Sequence, residues 1–438
     1  MRKRIKFGAT ILLVTCYLGS PLRAVELYLW NAADIEHAAE RIRSESRTRS
    51  TRETESGIRE DAALQQAYQM LITQANGAMT KGPFSVVDKT SIPPSGDVHD
   101  FCTLSPYFWP ISFLPGGKPY YFRDGKVNPE AKSAAYDRER YFEFMRTVQT
   151  LALAYTFSGE EHYAERAATL LRVWFLDEAT SMNPHFKHAQ AIPGLMQGCS
   201  LGVIRGSELV MILDATRLVA ESEHWTEQDE AGLKAWYSRY LDWVEHSDFG
   251  KKDGKRKNNH GTWHDVHMTA VALYVGREDL ARKIAQAVPE LRLERQINAA
   301  GEQKYELRRS RSWEYSLYNL RGLYAMADLA ERVGVDLWNY QSTDEGVNPL
   351  QAATSFLAPY AAGDKEWPHH QLKKSDAWAK ELGACVFREA VRRYGAADFG
   401  QTLAYLDDLD ATHRLRLLHD QAKQQDGERP TLASLATR

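Results

Sequence analysis

Residues 141–174 read YFEFMRTVQTLALAYTFSGEEHYAERAATLLRVW, and the spacing of their apolar positions decides the fold class. Tyr141, Phe144, Met145, Val148, Leu151, Ala152 and Tyr155 recur at i, i+3, i+4 and i+7, which is one buried face of an α-helix. Ser158-Gly159-Glu160-Glu161 then reads as a capping box, with Ser158 and Glu161 satisfying each other's free backbone donors. Ala164, Ala167, Leu170, Leu171 and Trp174 continue as a second stripe. The same period returns in Leu209, Ile212, Leu213 and Val219, and after Thr226 in Leu233, Trp236, Tyr237, Tyr240, Leu241 and Val244. Further helices are predicted over 61–79, 262–275, 278–287, 313–333, 348–360 and 374–394. Alternating strand patterns are scarce, and short connections favour antiparallel helical hairpins. The expected class is all-α. Many such hairpins in one chain fit an incomplete ring or toroid of paired helices, although no fixed-period repeat separates a toroid from another helical array.

Outward from that centre, 61–420 reads as one large domain. Residues 83–129 form a long stretch rich in Pro, Gly and aromatic residues, and loops of that length are usually functional. Residues 25–60 read as a polar N-terminal segment, solvated over 36–60, and 421–438 as a frayed polar tail. At the very start Arg2, Lys3, Arg4 and Lys6 precede an apolar run from Phe7 to Gly19, too short to anchor stably across a bilayer. Residues 1–24 therefore read as an export signal cleaved after Ala24, which predicts a periplasmic or secreted protein. A lipid anchor at Cys16 is disfavoured, because Thr15 stands where a small Gly or Ala is usual. Cys102, Cys199 and Cys385 remain, an odd and scattered set that makes no disulfide framework.

The chain has 438 residues, a formal net charge of −3, and 11 Trp and 21 Tyr. No global basic excess points to nucleic acid, and no other segment reads as a stable membrane span. A local basic cleft remains compatible with that average. The aromatic richness fits core filling and fits stacking against sugar rings.

Two clusters carry candidate chemistry. The first is Asn258-Asn259-His260-Gly261-Thr262-Trp263-His264-Asp265-Val266-His267, which follows a basic loop and enters a helix. His260, His264 and His267 fall at i, i+4 and i+7, so three imidazoles share a helical face. No Cys or carboxylate pattern elsewhere reinforces a metal site, and neither a metal nor a cofactor is expected. The second is Glu306 to Ser316, with Arg308, Arg309, Arg311 and Tyr315 near a helix start. Arginine forks match carboxylates in bidentate fashion, so an acidic ligand is the sharper reading beside a solvated helix entry.

These segments together resemble the bacterial alginate lyase family of polysaccharide lyases. The likeness runs from about Phe84 to Tyr360. It is carried by Pro83-Phe84-Ser85-Val86-Val87-Asp88-Lys89, Pro94 to Phe101, Ser105-Pro106-Tyr107-Phe108-Trp109-Pro110 and Asp124 to Glu130. Thr180-Ser181-Met182-Asn183-Pro184, Ala189 to Gly194, Asn258 to Trp263 and Arg309 to Tyr315 follow in the same order. The resemblance implies an α/α-toroid and β-elimination, with Asn259 and His260 as the family's Asn-His pair and Tyr315 as its catalytic tyrosine. Arg309 is the better match for the family's arginine, with neighbouring Arg308 one residue out of register. Relatives often carry Tyr and Gln where this chain has His264 and His267, which leaves the role of those histidines open.

The expected substrate is a 1,4-linked uronate polymer: mannuronate-type alginate, with glucuronan as the alternative. Removing the C5 proton adds negative charge beside an ionised carboxylate, so Asn259, His260 and Arg309 are expected to donate hydrogen bonds to that group. In β-mannuronate and β-glucuronate the C5 hydrogen and the C4 oxygen lie on one side of the ring. Tyr315 as a phenolate can then serve both steps, if Arg309 and His260 lower its pKa by about three units from 10. The competing scheme makes His260 the base and Tyr315 the acid. Tyr107, Trp109, Gln190 and Arg308 are candidate sugar-binding residues. A helical-toroid glycoside hydrolase would instead need two carboxylates across the bond, and Asp97, Asp100, Asp265 and Glu314 offer no distinct pair. A non-catalytic polysaccharide-binding protein would need no Asn-His plus Tyr arrangement.

Overall fold

The computed structural model describes residues 25–45, 55–343, 346–372, 377–406 and 413–420. Residues 1–24, with the expected export signal and Cys16, and the 421–438 tail lie outside them, as does the Arg47–Arg52 run. The helices are α1 (Ala32–Glu45), α2 (Glu55–Ala78), α3 (Arg138–Ser158), α4 (Glu161–Phe175), α5 (Gly206–Val219), α6 (Glu227–His246), α7 (Asp248–Gly254) and α8 (Asn259–Tyr274). They continue with α9 (Glu278–Val288), α10 (Glu294–Gln296), α11 (Ser312–Glu331), α12 (Pro349–Ala361), α13 (Ala377–Tyr394), α14 (Ala396–Leu406) and α15 (Leu415–Leu418). The fold is all-α, and none of the described helices is long and apolar enough to cross a membrane.

The inner helices pack neighbour on neighbour: α3 on α5, α5 on α8, α8 on α11 and α11 on α13, with α4, α6, α9 and α12 flanking them. Helix α15 touches α13 and α2, and α2 touches α3, so the succession returns to its start as a toroid. An inner helix meets neighbours on several sides. That is why α3 buries a continuous run from Thr147 to Ala154 beyond the stripe read from its period. Phe144 stacks on Trp174 of α4 at 4.6 Å between centroids and 9° between planes. Burying a ring of that size contributes roughly 2–3 kcal/mol.

Two expectations are corrected. Ser158 does not cap α4: its hydroxyl donates to the Ala154 carbonyl inside α3, and Gly159 closes α3 in a left-handed conformation at φ 73°. Glu161 accepts instead from the Ser222 hydroxyl, 2.6 Å away, which ties α4 to the segment after α5. The described residues 36–44 of the expected solvated segment are not solvated throughout either. Ile35, Ala38, Ala39 and Ile42 of α1 are buried, a short i, i+3, i+4, i+7 stripe hidden in the sequence among charges. Ahead of it, the backbone N–H groups of Tyr28, Leu29 and Trp30 donate to the buried Asp214 carboxylate of α5 at 2.6, 2.7 and 2.9 Å. Residues 25–30 thus reach into the toroid.

The long 83–129 segment contributes three short strands to two ladders. Strand β1 (Cys102–Leu104) pairs in parallel with β4 (His188–Ala191), and β2 (Phe108–Trp109) pairs antiparallel with β3 (Tyr121–Phe122). Cys102, Cys199 and Cys385 are buried and free.

Candidate active site

A cleft of about 870 Å³ opens into the toroid. Eight Lys or Arg side chains and five carboxylates line it, so a chain of net charge −3 presents a locally basic surface there. Asn259, His260, Arg309, Tyr315, Tyr107 and Gln190 all lie on its wall. Residues far apart in the chain meet because α8 and α11 are packed together and both begin at the cleft. Asn259 and His260 open α8, and Tyr315 lies in the first turn of α11. Free N–H groups at such helix starts favour an anion.

Each proposed donor is held by a carboxylate behind it. The Asn259 backbone N–H and side-chain amide donate to the two oxygens of buried Glu306 at 2.7 and 2.8 Å. Burial pushes Glu306 up to about 7, against the pull of those two donors. His260 Nδ1 lies 3.2 Å from Asp253 Oδ1. Burial alone would raise the Asp253 carboxyl, but its contacts with His260 and His264 outweigh that and hold it at about 2. Burial lowers His260 below its ordinary value while Asp253 works to raise it. Arg309 donates to Asp124 through Nη2 at 2.9 Å and Nε at 3.4 Å, and the Ser310 N–H meets the same carboxylate at 3.0 Å.

Arg309 in turn lies 3.9 Å from the centre of the Tyr315 ring, and the Tyr315 hydroxyl is 2.9 Å from that of Tyr107. Burial raises the Tyr315 phenol above its usual range, Tyr107 adds to this, and Arg309 opposes it. The pKa lowering expected from the sequence is therefore not met: desolvation outweighs the guanidinium.

Local sequence explains the geometry. A Cβ on Gly261 would stand 2.1 Å from the Arg256 carbonyl, so only glycine lets the loop pass this close to α8. A π-helical turn, Pro289–Leu293, carries buried Arg292, which donates to Asp265 at 2.7 and 3.0 Å and to the Gly254 carbonyl at 2.7 Å. It pins the end of α7, which bears Asp253. Gly125 has φ 69°, and a Cβ there would meet Ser310 Oγ at 2.6 Å, which keeps Asp124 against the Arg309 loop. Gln190 holds a left-handed φ of 52°, unusual for a residue with a side chain, with its backbone N–H on Thr103 Oγ1 and its amide on the Leu201 carbonyl.

Two candidate sugar-binding residues lie elsewhere. Trp109 is not on the cleft wall: its indole N–H donates to the Lys126 carbonyl at 2.9 Å and Arg123 lies 5.0 Å from its ring centre. Arg308 is exposed and off the wall, so of these two neighbours it is Arg309 that lines the cleft. The rings that β2 and β3 do present to the cleft are Phe108 and Phe122. The histidine row does not converge. His264 Nδ1 is 3.5 Å from Asp253 Oδ2, and His267 is fully buried with Nδ1 on the Trp263 carbonyl. The close-lying ligating group found among the described residues is Asp242, Glu245 and His246 on α6, where Arg277 pairs with both acids.

The family model described as alginate lyase matches residues 85–367. The crystal structure of an alginate lyase from Bacteroides ovatus is 34% identical, with TM-score 0.82, covering 90% of this chain and 99% of that one. Alginate lyase A1-III from Sphingomonas species A1 is 17% identical, with TM-score 0.43, covering 76% of this chain and 88% of that one. No curated protein matches significantly. On the family match and the Bacteroides structure together, the chain belongs to the alginate lyase family of polysaccharide lyases.

Proposed function

We propose that the protein cleaves alginate of the mannuronate type by β-elimination, leaving an unsaturated uronate at the new end. The observation that carries this reading is Tyr315, with a guanidinium on its ring face and a second phenol at its hydroxyl, on one cleft wall with Asn259 and His260. The C5 proton of a uronate is weakly acidic because its loss places a second negative charge next to the carboxylate. Asn259 keeps one amide hydrogen beyond the one given to Glu306, and Arg309 keeps N–H groups beyond those on Asp124. Directed at the carboxylate, each such donor is worth roughly 3–4 kcal/mol of barrier.

Tyr315 takes the C5 proton as phenolate, the C4–O bond breaks, and the phenol protonates the departing oxygen. Tyr107, donating to the phenolate oxygen, and Arg309, on the ring, stabilise that anion. A hydrolase would need two free carboxylates across the bond. Of the cleft acids, Glu139, Glu208, Asp328 and Glu389 are each paired with arginine, and Asp97, Asp100, Asp265 and Glu314 are off the wall. The export signal read in residues 1–24 supports action outside the cytoplasm. The test is Tyr315→Phe: formation of the ultraviolet-absorbing unsaturated product should vanish while polymer binding persists. Full activity would remove Tyr315 from the reaction.

A further inference from the structure

Asp253 has no exposed surface, and its Oδ1 faces His260 Nδ1 at 3.2 Å. An ionised carboxylate only accepts hydrogen bonds, so Nδ1 must carry the imidazole proton. That leaves the Nε2 lone pair as the polar atom of His260 free for the cleft, which the side chain lines. A uronate oxygen brought up to that lone pair would meet repulsion. A proton on Nε2 turns the encounter into a charge-assisted hydrogen bond, and Asp253 supplies the counter-charge on the far side of the ring.

We propose that Asp253 is a positioning residue that makes uronate binding proton-coupled: the substrate carboxylate binds together with one proton, taken from solvent onto His260 Nε2. This rests on the lyase reading above and names the ionic form in which His260 holds the carboxylate. The proton returns to solvent when product leaves, so none is consumed over a cycle.

The surroundings set the balance. Around His260 lie Asp253, which favours the imidazolium, and Arg256 and Arg309, which oppose it. His264 shares Asp253 from the next turn of α8, and Tyr240 of α6 lies near the same carboxylate. Burial favours the neutral ring, so the incoming anion is what tips it. Asp253→Asn would present an amide to Nδ1 and invert the tautomer, placing N–H on Nε2 without a proton from solvent.

Calorimetry with a mannuronate tetrasaccharide tests this, using full-length Tyr315→Phe protein at about pH 7.5 in buffers of different ionisation enthalpy. Uptake of about one proton per bound tetrasaccharide is expected. Adding His260→Gln or Asp253→Asn should bring uptake close to zero. Binding without uptake in the Tyr315→Phe protein overturns the proposal, as does undiminished uptake with either added change. If Asp253→Asn does not fold, the His260→Gln protein decides, because uptake surviving there would belong to Glu306. Absence of any binding would instead overturn the mannuronate reading itself.

Discussion

Replacing Asp124 by Asn is the most informative single change, because that residue touches the proposed chemistry only through Arg309. Asp124 fixes the guanidinium with two contacts, at 2.9 and 3.4 Å, and that guanidinium lies 3.9 Å from the Tyr315 ring centre. Burial alone would raise the Asp124 carboxyl, yet its bonds to Arg309 and Ser310 lower it from 3.8 to about 2. Both side chains are about a quarter exposed, so screening is limited. A shift of just under two units corresponds to about 2 kcal/mol between the charged pair and a neutral partner. If most of that holds Arg309 where it stabilises the phenolate, kcat/KM falls by about 30-fold, since each 1.36 kcal/mol is a decade. The assay is the initial rate of unsaturated product formation by ultraviolet absorbance, with folding checked by thermal melting. Because Arg309 acts on the transition state, kcat should carry the loss. An Asp124→Asn enzyme within twofold of the parent, or one changed in KM alone, would refute the argument.

Other outcomes follow from the same electrostatics. With Tyr315 held above its ordinary range, the basic form grows with pH, so kcat at saturating substrate, where the bound carboxylate keeps the His260 proton in place, should climb close to tenfold per unit between about pH 7 and 9. A plateau across that range would assign the base to His260, whose pKa is lowered. Glu306 is held at about 7, above its ordinary 4.5, so the fold binds this proton more tightly than the unfolded chain does. Its stabilising contribution is complete below about pH 4.5 and is lost as pH rises through about 7. Chemical denaturation of Glu306→Gln should therefore show a smaller loss of stability between about pH 5 and 8, by up to about 3 kcal/mol. Identical pH dependence in the two proteins would contradict that assignment.

The helical period announced the paired helices: α3, α4, α5 and α6 carry the stripes read from spacing, and α8 and α11 cover spans predicted to be helical. What it missed has definite physical reasons. Helix α1 buries an apolar stripe of only two isoleucines and two alanines, whose summed hydropathy is swamped by neighbouring charges. Ser158 looked like an N-cap because the pattern does not show that α3 runs on through it to Gly159. At the site, Asn259, His260, Arg309 and Tyr315 were legible because their residue types match the chemistry and the family motifs. Asp253, Glu306 and Asp124 were not singled out, because acids outside an apolar stripe normally meet water and only the folded chain reveals that each backs a donor. Their positions did hold a signal: Asp253 and Glu306 each lie a few residues ahead of a helix that starts at the cleft. Trp109 was misleading because a tryptophan in a long loop reads as a sugar platform, whereas β2 turns Phe108 to the cleft and ties the indole to Lys126.

Everything above depends on which bond-breaking chemistry the cleft performs on a uronate chain. Purified protein should be incubated with polymannuronate, polyguluronate and glucuronan, and the new chain ends examined by proton NMR. The account predicts C4–C5 double bonds at the new ends from polymannuronate. New ends that are saturated, or no cleavage of any of the three polymers, would contradict it.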